Sequence, residues 1–573
     1  MFIPSTHAEL NKLNWQELDI ILVSGDSYVD TSYSGIAIIG KHLIKNGYKV
    51  AIIPQPSLDR KDDIMRFGNP KLFWGVTAGA MDSMVANYTA LKKKRRNDDL
   101  TAGGLNNRRP DRATIRYVNL IKQFADKNIP IVIGGVEASL RRITHYDYWD
   151  NKVRRSILFD SKADILVYGE GERTILEIAQ KIKKHEDIKS IRGICYITSE
   201  LANDNLENYI ELPTHEESIA DKQQFRKMFD IFYKNNDPIN AKKLVQKVGD
   251  RFLIQNPPNY YLQEEELDEI YNYDYENKAA PIHSKEGKVK ALETIKSSIT
   301  SHRGCFGECN FCAIAVHFGR TIRSRSYESI LKETEKIANS PKFNGIIYDI
   351  GGASANMYKM KCEQQELYGS CKDKRCLSPT ICKNREISHK EHLNLIAEVA
   401  KLNKINKVFI NSGIRYDLVL NDKKFGKKYL EYVVSNCVSG QMKIAPEHTE
   451  PKILKLMAKP LGDLNKFVQQ FKTISKNIGK KQFLTYYLIA AHPGCTIEDM
   501  RNMKKIFLRE MKILPEQVQI FTPTPSTYST LMYYLEEDFQ NPQKIFVEKN
   551  LNKMKQQKEE IVSSAWNKVL SKR

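Results

Sequence analysis

The chain has 573 residues, 41% of them hydrophobic, and carries 89 Lys and Arg against 69 Asp and Glu for a formal net charge of +20. That is a globular composition on the scale of roughly three or four domains, and no apolar run approaches the roughly 18 residues of a membrane span, so neither a disordered nor a membrane-spanning chain is expected. The positive balance suits an anionic partner such as an RNA, an acidic protein or a phosphorylated metabolite, and it equally suits a lysine coat on ordinary surfaces. Met1 to Asn14 is polar and lacks the apolar centre of an export signal. Ten cysteines without such a signal point to a reducing cytoplasm and to metal chemistry rather than disulfides.

In chain order, the run from Asp19 to Gly25 is apolar and ends in glycine, the pattern of a buried parallel strand. A polar loop, Asp26 to Ser34, leads to a helical stretch from Gly35 to a glycine stop at Gly47. Tyr48 to Pro54, Phe73 to Thr77, Pro130 to Gly135 and Ala163 to Gly169 read as four further strands. Strand alternating with helix predicts an α/β, doubly wound parallel sheet over residues 1–200. Ligands of such sheets lie at the carboxyl ends of the strands, where Gly25, Gly134-Gly135 and Gly169-Glu-Gly-Glu172 fall. Two basic segments, Lys92 to Arg96 and Asn107 to Arg112, read as solvated loops or as polyanion contacts. Ser139 to Arg142 and His145 to Trp149 mix arginine with aromatics, which suits stacking on bases or packing against a neighbouring domain. Residues 201–290 are charged and irregular, with Pro257-Pro258 excluding a regular helix, and read as a connector.

Just after the β-like run Ser298 to Ser301, Cys305, Cys309 and Cys312 stand at spacing C-x3-C-x2-C, between Gly304, Gly307 and the aromatics Phe306 and Phe311. Thiolates are soft ligands that hold iron–sulfur clusters. Three of them leave one iron of a cuboidal cluster open, whereas a zinc site would draw a fourth ligand from His302 or His317. Strand and helix then alternate again over residues 291–535. Gly345 to Gly352, Lys407 to Arg415, Gln441 to His448, Phe483 to Ala490 and Val518 to Pro525 read as strands. Polar residues gather at their carboxyl ends, the active rim of α/β barrels. Between two of these strands lies a Cys-rich insertion, residues 360–385, holding Cys362, Cys371, Cys376 and Cys382 at spacings of eight, four and five. It has no apolar periodicity, so bound metal would supply its folding energy. Four thiolates suit zinc or a fully ligated [4Fe–4S] cluster, and four free thiols on a surface loop are the alternative. Residues 536–573 form a Lys- and Glu-rich helical tail.

The cysteine spacing, with an aromatic before the last cysteine, resembles the radical S-adenosylmethionine (SAM) superfamily. The order of the first domain, including its GGVEAS and YGEGE stretches, resembles the cobalamin-binding domain that precedes many radical SAM cores. The closer similarity is to the YgiQ-like radical SAM family. It is carried by the stretches beginning at Arg108, His145, Lys152 and Arg303, by Ile444-Ala-Pro-Glu-His-Thr and by Phe521-Thr-Pro-Thr-Pro. The resemblance implies a Rossmann-like N-terminal domain, a partial (β/α)6 barrel, and a [4Fe–4S] cluster on Cys305, Cys309 and Cys312. The open iron of that cluster would bind SAM, and an electron would cleave SAM to a 5′-deoxyadenosyl radical acting on an unidentified substrate. It also implies a reductant such as flavodoxin or ferredoxin. Gly351 and Gly352 would meet the amino group of SAM, although Ala353 stands where many members carry an acid. Ser412 and Arg415 would meet its carboxylate or ribose, and Glu447 the ribose hydroxyls. Cobalamin is not expected, because the loop from Asp26 to Asp30 lacks the histidine that ligates cobalt in that domain. The competing reading is a non-catalytic, metal-bearing RNA-binding or electron-transfer protein, in which the cluster only stabilises the fold.

Overall fold

The structure is a computed structural model, and it describes residues 1–201 and 209–562. The five strands expected in the first domain form the parallel heart of a nine-stranded sheet, in the spatial order Ile165–Val167, Ile131–Gly134, Phe73–Thr77, Ile20–Ser24 and Val50–Pro54. Ile20–Ser24 and the edge strand Val50–Pro54 are buried at every position, as helices on both faces of a parallel sheet require. Alternate residues serve the two faces. Ile21, Val23, Ala51 and Ile53 pack with Tyr117 and Val118 of the helix Ala113–Phe124. Ile20, Leu22, Val50 and Ile52 pack with Ile36 and Ile38 of the helix Gly35–Lys45 and with Ile175 and Ile178 of the helix Glu172–Lys183.

The segment expected to be an irregular connector holds the helices His215–Ala220, Lys222–Lys234 and Glu264–Tyr271 together with strands that extend the first sheet. Ile194–Thr198 pairs antiparallel with Ile165–Val167, Arg251–Gln255 pairs antiparallel with Ile194–Thr198, and Lys243–Val248 and Tyr209–Glu211 complete that side. The first domain therefore does not end near residue 200. Residues 202–208, at the start of the expected connector, lie outside the described residues. Composition hides these strands because each is half polar, although Lys243–Val248 and Arg251–Gln255 form a hairpin closed at Gly249-Asp250, a turn signal present in the sequence.

The second half builds a partial barrel of parallel strands. Ser298–Thr300 pairs with Asp349–Gly351, Ile346–Ile347 with Lys407–Val408, Gln441–Glu447 with Phe483–Ala490, and the last of these with Gln517–Ile520. An Ile414–Ile444 bridge joins the third segment to the fourth. Along Gln441–Glu447, Met442, Ile444 and Pro446 are buried while Lys443, Ala445 and Glu447 are half-buried. That alternation suits a strand with helices on one face and an open interior on the other. The helix Leu551–Ile561 of the tail folds back on the barrel, where Gln557 donates to the Cys495 carbonyl at 3.1 Å and accepts from the Ala491 amide at 2.9 Å. Residues 563–573 of the tail lie outside the described residues. Among the described residues, no helix is long and apolar enough to cross a membrane.

Candidate functional site

The carboxyl ends of the two sets of strands face each other across one cavity of about 520 Å³. The sheet side contributes Ser24, Thr77, Gly134 and Gly169, and the barrel side contributes Thr300, His302, Asp349, Gly351, Gly352 and Ser412. Most of the surface of the wall between them is apolar, the usual character of a small-molecule site.

Cys305, Cys309 and Cys312 lie on the loop that leaves the barrel strand Ser298–Thr300, all three partly exposed and none in a disulfide. Glycines let this loop turn. Gly304 has φ +85°, and a Cβ there would strike the backbone of Thr321. A Cβ on Gly307 would strike the Arg415 guanidinium and lie 3.2 Å from Cys305 Sγ. Burial pushes the Cys312 thiol up to about 12, with Cys309 and Cys305 adding to the shift. Burial also raises Cys305, against the opposing charge of Arg415. Thiols so disposed ionise when a bound cationic centre takes their charge. Among the described residues, no three Cys, His, Asp or Glu side chains are gathered closely enough for a single metal ion. A cuboidal cluster sets a different requirement, one sulfur on each of three irons around a larger body, and a glycine-hinged loop of three free thiols fits it.

The other predicted residues are divided between two places. Gly351, Gly352 and Ser412 line the cavity. A Cβ on Gly352 would lie 2.6 Å from the His302 carbonyl oxygen and 2.7 Å from its Nε2, so only glycine lets the backbone open there. The Ser412 hydroxyl is not free, because it bonds the Asp349 carboxylate, which also accepts from the Asn411 and Ser412 amides at 2.9 and 3.0 Å. Arg415 faces the cysteine loop instead of the cavity. It pairs with Asp417 at 2.6 Å and donates to Cys309 Sγ at 3.7 Å. Its charge is thus largely answered by Asp417, leaving it as a donor to the cysteine loop. Glu447 is half-buried with φ +68°. Burial raises its carboxyl against the pull of Lys459 and Arg415, and it lies within electrostatic reach of Cys312.

Several residues take places in the site that the sequence did not assign to them. His302 lines the cavity fully buried, and burial together with His392 lowers it to about 3, so it is neutral. Asp349 is the one acid in an otherwise apolar strand, a signal visible in the sequence. Most important is the use of the Gly169-Glu-Gly-Glu172 turn. Arg303, two residues before Cys305, donates to Glu172 at 2.7 Å and lies 3.4 Å from Glu170, while Arg323 donates to Glu170 at 2.7 Å. The turn that sequence places at a ligand edge therefore also clamps the cysteine loop to the first domain.

The basic and aromatic stretches are mostly structural. Arg109 is buried between Asp26 and Asp98, Arg112 pairs with Asp147 and Asp150, and Arg141 pairs with Asp82. Tyr146 stacks on Tyr534 with ring centroids 4.9 Å apart, and Tyr148 packs on Tyr533. Tyr146 and Tyr148 thus pack against a neighbouring element, and Arg109 is buried although its segment reads in the sequence as a solvated loop or a polyanion contact. Lys92 to Arg96 stays exposed.

The fold and its cysteine loop define a radical SAM protein with a cobalamin-binding-like first domain. A structure of the radical SAM methyltransferase TsrM of Kitasatospora setae, with cobalamin and a [4Fe–4S] cluster bound, superimposes with a TM-score of 0.52 at 13% identity, covering 89% of this chain and 73% of that one. The cobalamin-dependent SAM radical enzyme OxsB, with aqua-cobalamin bound, gives 0.51 at 12% identity, covering 91% of this chain and 56% of that one. At such identities the likeness concerns the fold. The family profile "Radical SAM N-terminal" matches residues 2–298, which agrees with a first domain reaching past the supposed connector. A UPF0313 protein of Fusobacterium nucleatum subsp. nucleatum is 52% identical over 99% of this chain and all of its own length. One of Thermotoga petrophila is 45% identical over 97% of this chain and 98% of its own. The chain belongs to the UPF0313 family, the YgiQ-like radical SAM proteins.

Proposed function

We propose that this chain is an enzyme that binds SAM at the barrel rim, cleaves it reductively and turns the resulting 5′-deoxyadenosyl radical on a second reactant held in the inter-domain cavity. The observation that carries this reading is the cavity itself, because Gly351 and Gly352 open onto the same space as the glycine turns of the first domain. A cluster serving only to stabilise the fold needs no such space. A [4Fe–4S] cluster on Cys305, Cys309 and Cys312 would supply the electron, drawn from a flavodoxin- or ferredoxin-like reductant.

The chain's own residues do the rest. The strand end at Gly352 leaves backbone free for the methionine part of SAM, Glu447 offers a carboxylate to its ribose, and the apolar wall excludes water from a reactive radical. Arg415 holds the cysteine loop through Cys309 and is itself held by Asp417. The histidines lining the cavity, His302 and His317, both come from the barrel side, so a corrin placed there would find no imidazole on the sheet side. We therefore favour a substrate as the occupant. Hydroxocobalamin retained by the chain with a shifted visible spectrum would reverse that choice. The test of the function is 5′-deoxyadenosine and methionine formed from SAM by the anaerobically reconstituted, reduced chain. A chain loaded with its cluster that leaves SAM intact would overturn the reading.

A further inference from the structure

The insertion between two barrel strands is docked directly on the cysteine loop. Arg320 donates both to Glu308 Oε1 and to the Cys371 carbonyl, each at 3.1 Å, and Arg375 donates to the Glu308 carbonyl. Phe306, the neighbour of Cys305, forms a small apolar core with Ile322, Met357, Met360, Leu377 and Leu418, and both Cys305 and Cys376 pack against it. Arg385 covers the other face of this contact, its guanidinium 4.3 Å from the Phe306 ring centre.

The four cysteines of the insertion are all partly exposed and none is in a disulfide. Cys376 Sγ receives two N–H donors, Arg385 Nη2 at 3.3 Å and Gln365 Nε2 at 3.7 Å, and Arg385 also bonds Gln365. Hydrogen bonds to cluster sulfurs are part of how proteins tune such centres. The Cys382 amide donates to the Cys376 carbonyl at 2.8 Å, closing a tight loop between the two, and Cys362 lies within electrostatic reach of the Cys376 thiol. From Lys359 to Glu386 there are seven Lys and Arg against four Asp and Glu, a surplus that complements a centre carrying four thiolates.

The two metals left open by the sequence ask for different spacings. Tetrahedral zinc with Zn–S near 2.3 Å needs sulfurs about 3.8 Å apart, and no three side chains among the described residues are gathered in that way. Cys305, Cys309 and Cys312 form no such group either, and a cuboidal cluster, with its cysteines on separate irons, does not require one. We propose that Cys362, Cys371, Cys376 and Cys382 ligate an auxiliary [4Fe–4S] cluster seated against the Phe306 face of the SAM-cluster loop. With all four irons occupied by cysteine, this centre has no open position for SAM. The assignment does not depend on SAM cleavage.

The experiment is iron, sulfide and zinc analysis of the full chain after anaerobic reconstitution, with Mössbauer and electron paramagnetic resonance spectra. The wild type is expected to hold about eight iron and eight sulfide per chain. Cys305→Ala/Cys309→Ala/Cys312→Ala should keep about four iron as a cluster whose spectrum does not respond to SAM, and Cys376→Ser/Cys382→Ser should keep about four iron in a cluster that does. A wild-type chain with about four iron, whether alone or with one zinc, overturns the assignment without recourse to any variant. So does a fully loaded wild type in which SAM alters the spectra of both clusters.

Discussion

Arg303→Met tests how the first domain is held to the cysteine loop. Arg303 is buried, bonds Glu172 at 2.7 Å, donates to the Tyr271 hydroxyl at 3.0 Å and stacks on that ring at 5.1 Å. Methionine fills much of the volume but leaves the buried Glu172 carboxylate without its cation, a loss of about 3–5 kcal/mol when one partner of a buried pair is removed. Glu170 keeps Arg323 at 2.7 Å, so a single orphaned charge sets the size of the effect. Removing both charges, in Arg303→Met/Glu172→Leu, should recover most of the loss, because an apolar pair of similar volume is often neutral or better. The pH dependence has a definite sign. Burial pushes the Glu172 carboxyl up, but Arg303 pulls it down further, so it sits below its ordinary 4.5 in the wild type. That contribution stands in full above pH 4.5 and is lost as pH falls through the depressed value. In Arg303→Met, burial acts unopposed by Arg303 and the carboxyl titrates higher, so the deficit narrows as the pH drops from 7 towards 5. Urea unfolding followed by circular dichroism at several pH values measures this. A deficit under about 1 kcal/mol at pH 7, or a double variant no better than the single, would refute the reasoning.

Four further outcomes are expected. Cys305→Ala/Cys309→Ala/Cys312→Ala should form no 5′-deoxyadenosine from SAM, and residual formation at the wild-type rate would remove the assignment of the cluster. Gly352→Val, whose Cβ would fall 2.6 Å from the His302 carbonyl oxygen, should abolish SAM retention in equilibrium dialysis with labelled SAM while iron content is unchanged. Glu447→Ala should weaken SAM binding about 10-fold or more, the range for a lost hydrogen bond to a charged group, and unchanged affinity would take Glu447 out of the site. With Arg109, Arg112 and Arg141 consumed in buried or half-buried ion pairs, filter binding near 0.15 M salt should retain no RNA, and retention falling steeply with salt would restore a polyanion role to the exposed Lys92–Arg96 segment.

The amino-acid sequence by itself determined the parts whose chemistry is local. Three cysteines within eight residues, flanked by glycines, mark a cluster loop in any fold that exposes them. The five parallel strands of the first domain are legible because each is a continuous apolar run ending in glycine or at a turn; Phe483–Ala490 appears with the expected bounds, and Gln441–Glu447 ends one residue before the expected His448. What only the tertiary structure decided is everything that depends on partners far along the chain. Lys243–Val248 and Arg251–Gln255 read as connector because their pattern is half polar; they pair with each other, and it is the pairing of Arg251–Gln255 with the distant Ile194–Thr198 that joins them to the sheet. Arg108 to Arg112 looks like a basic patch, yet Arg109 is buried, because an arginine looks the same in sequence whether it faces water or Asp26 and Asp98. Ser412 and Arg415 stand three residues apart at one strand end, but the first turns to Asp349 in the cavity and the second to Cys309 and Asp417. The Glu170 and Glu172 turn could be placed at a strand end from its residues alone, but its hold on Arg303 and Arg323 exists only because folding brings residues more than a hundred positions apart into one buried pair, where desolvation makes the choice of partner energetically decisive.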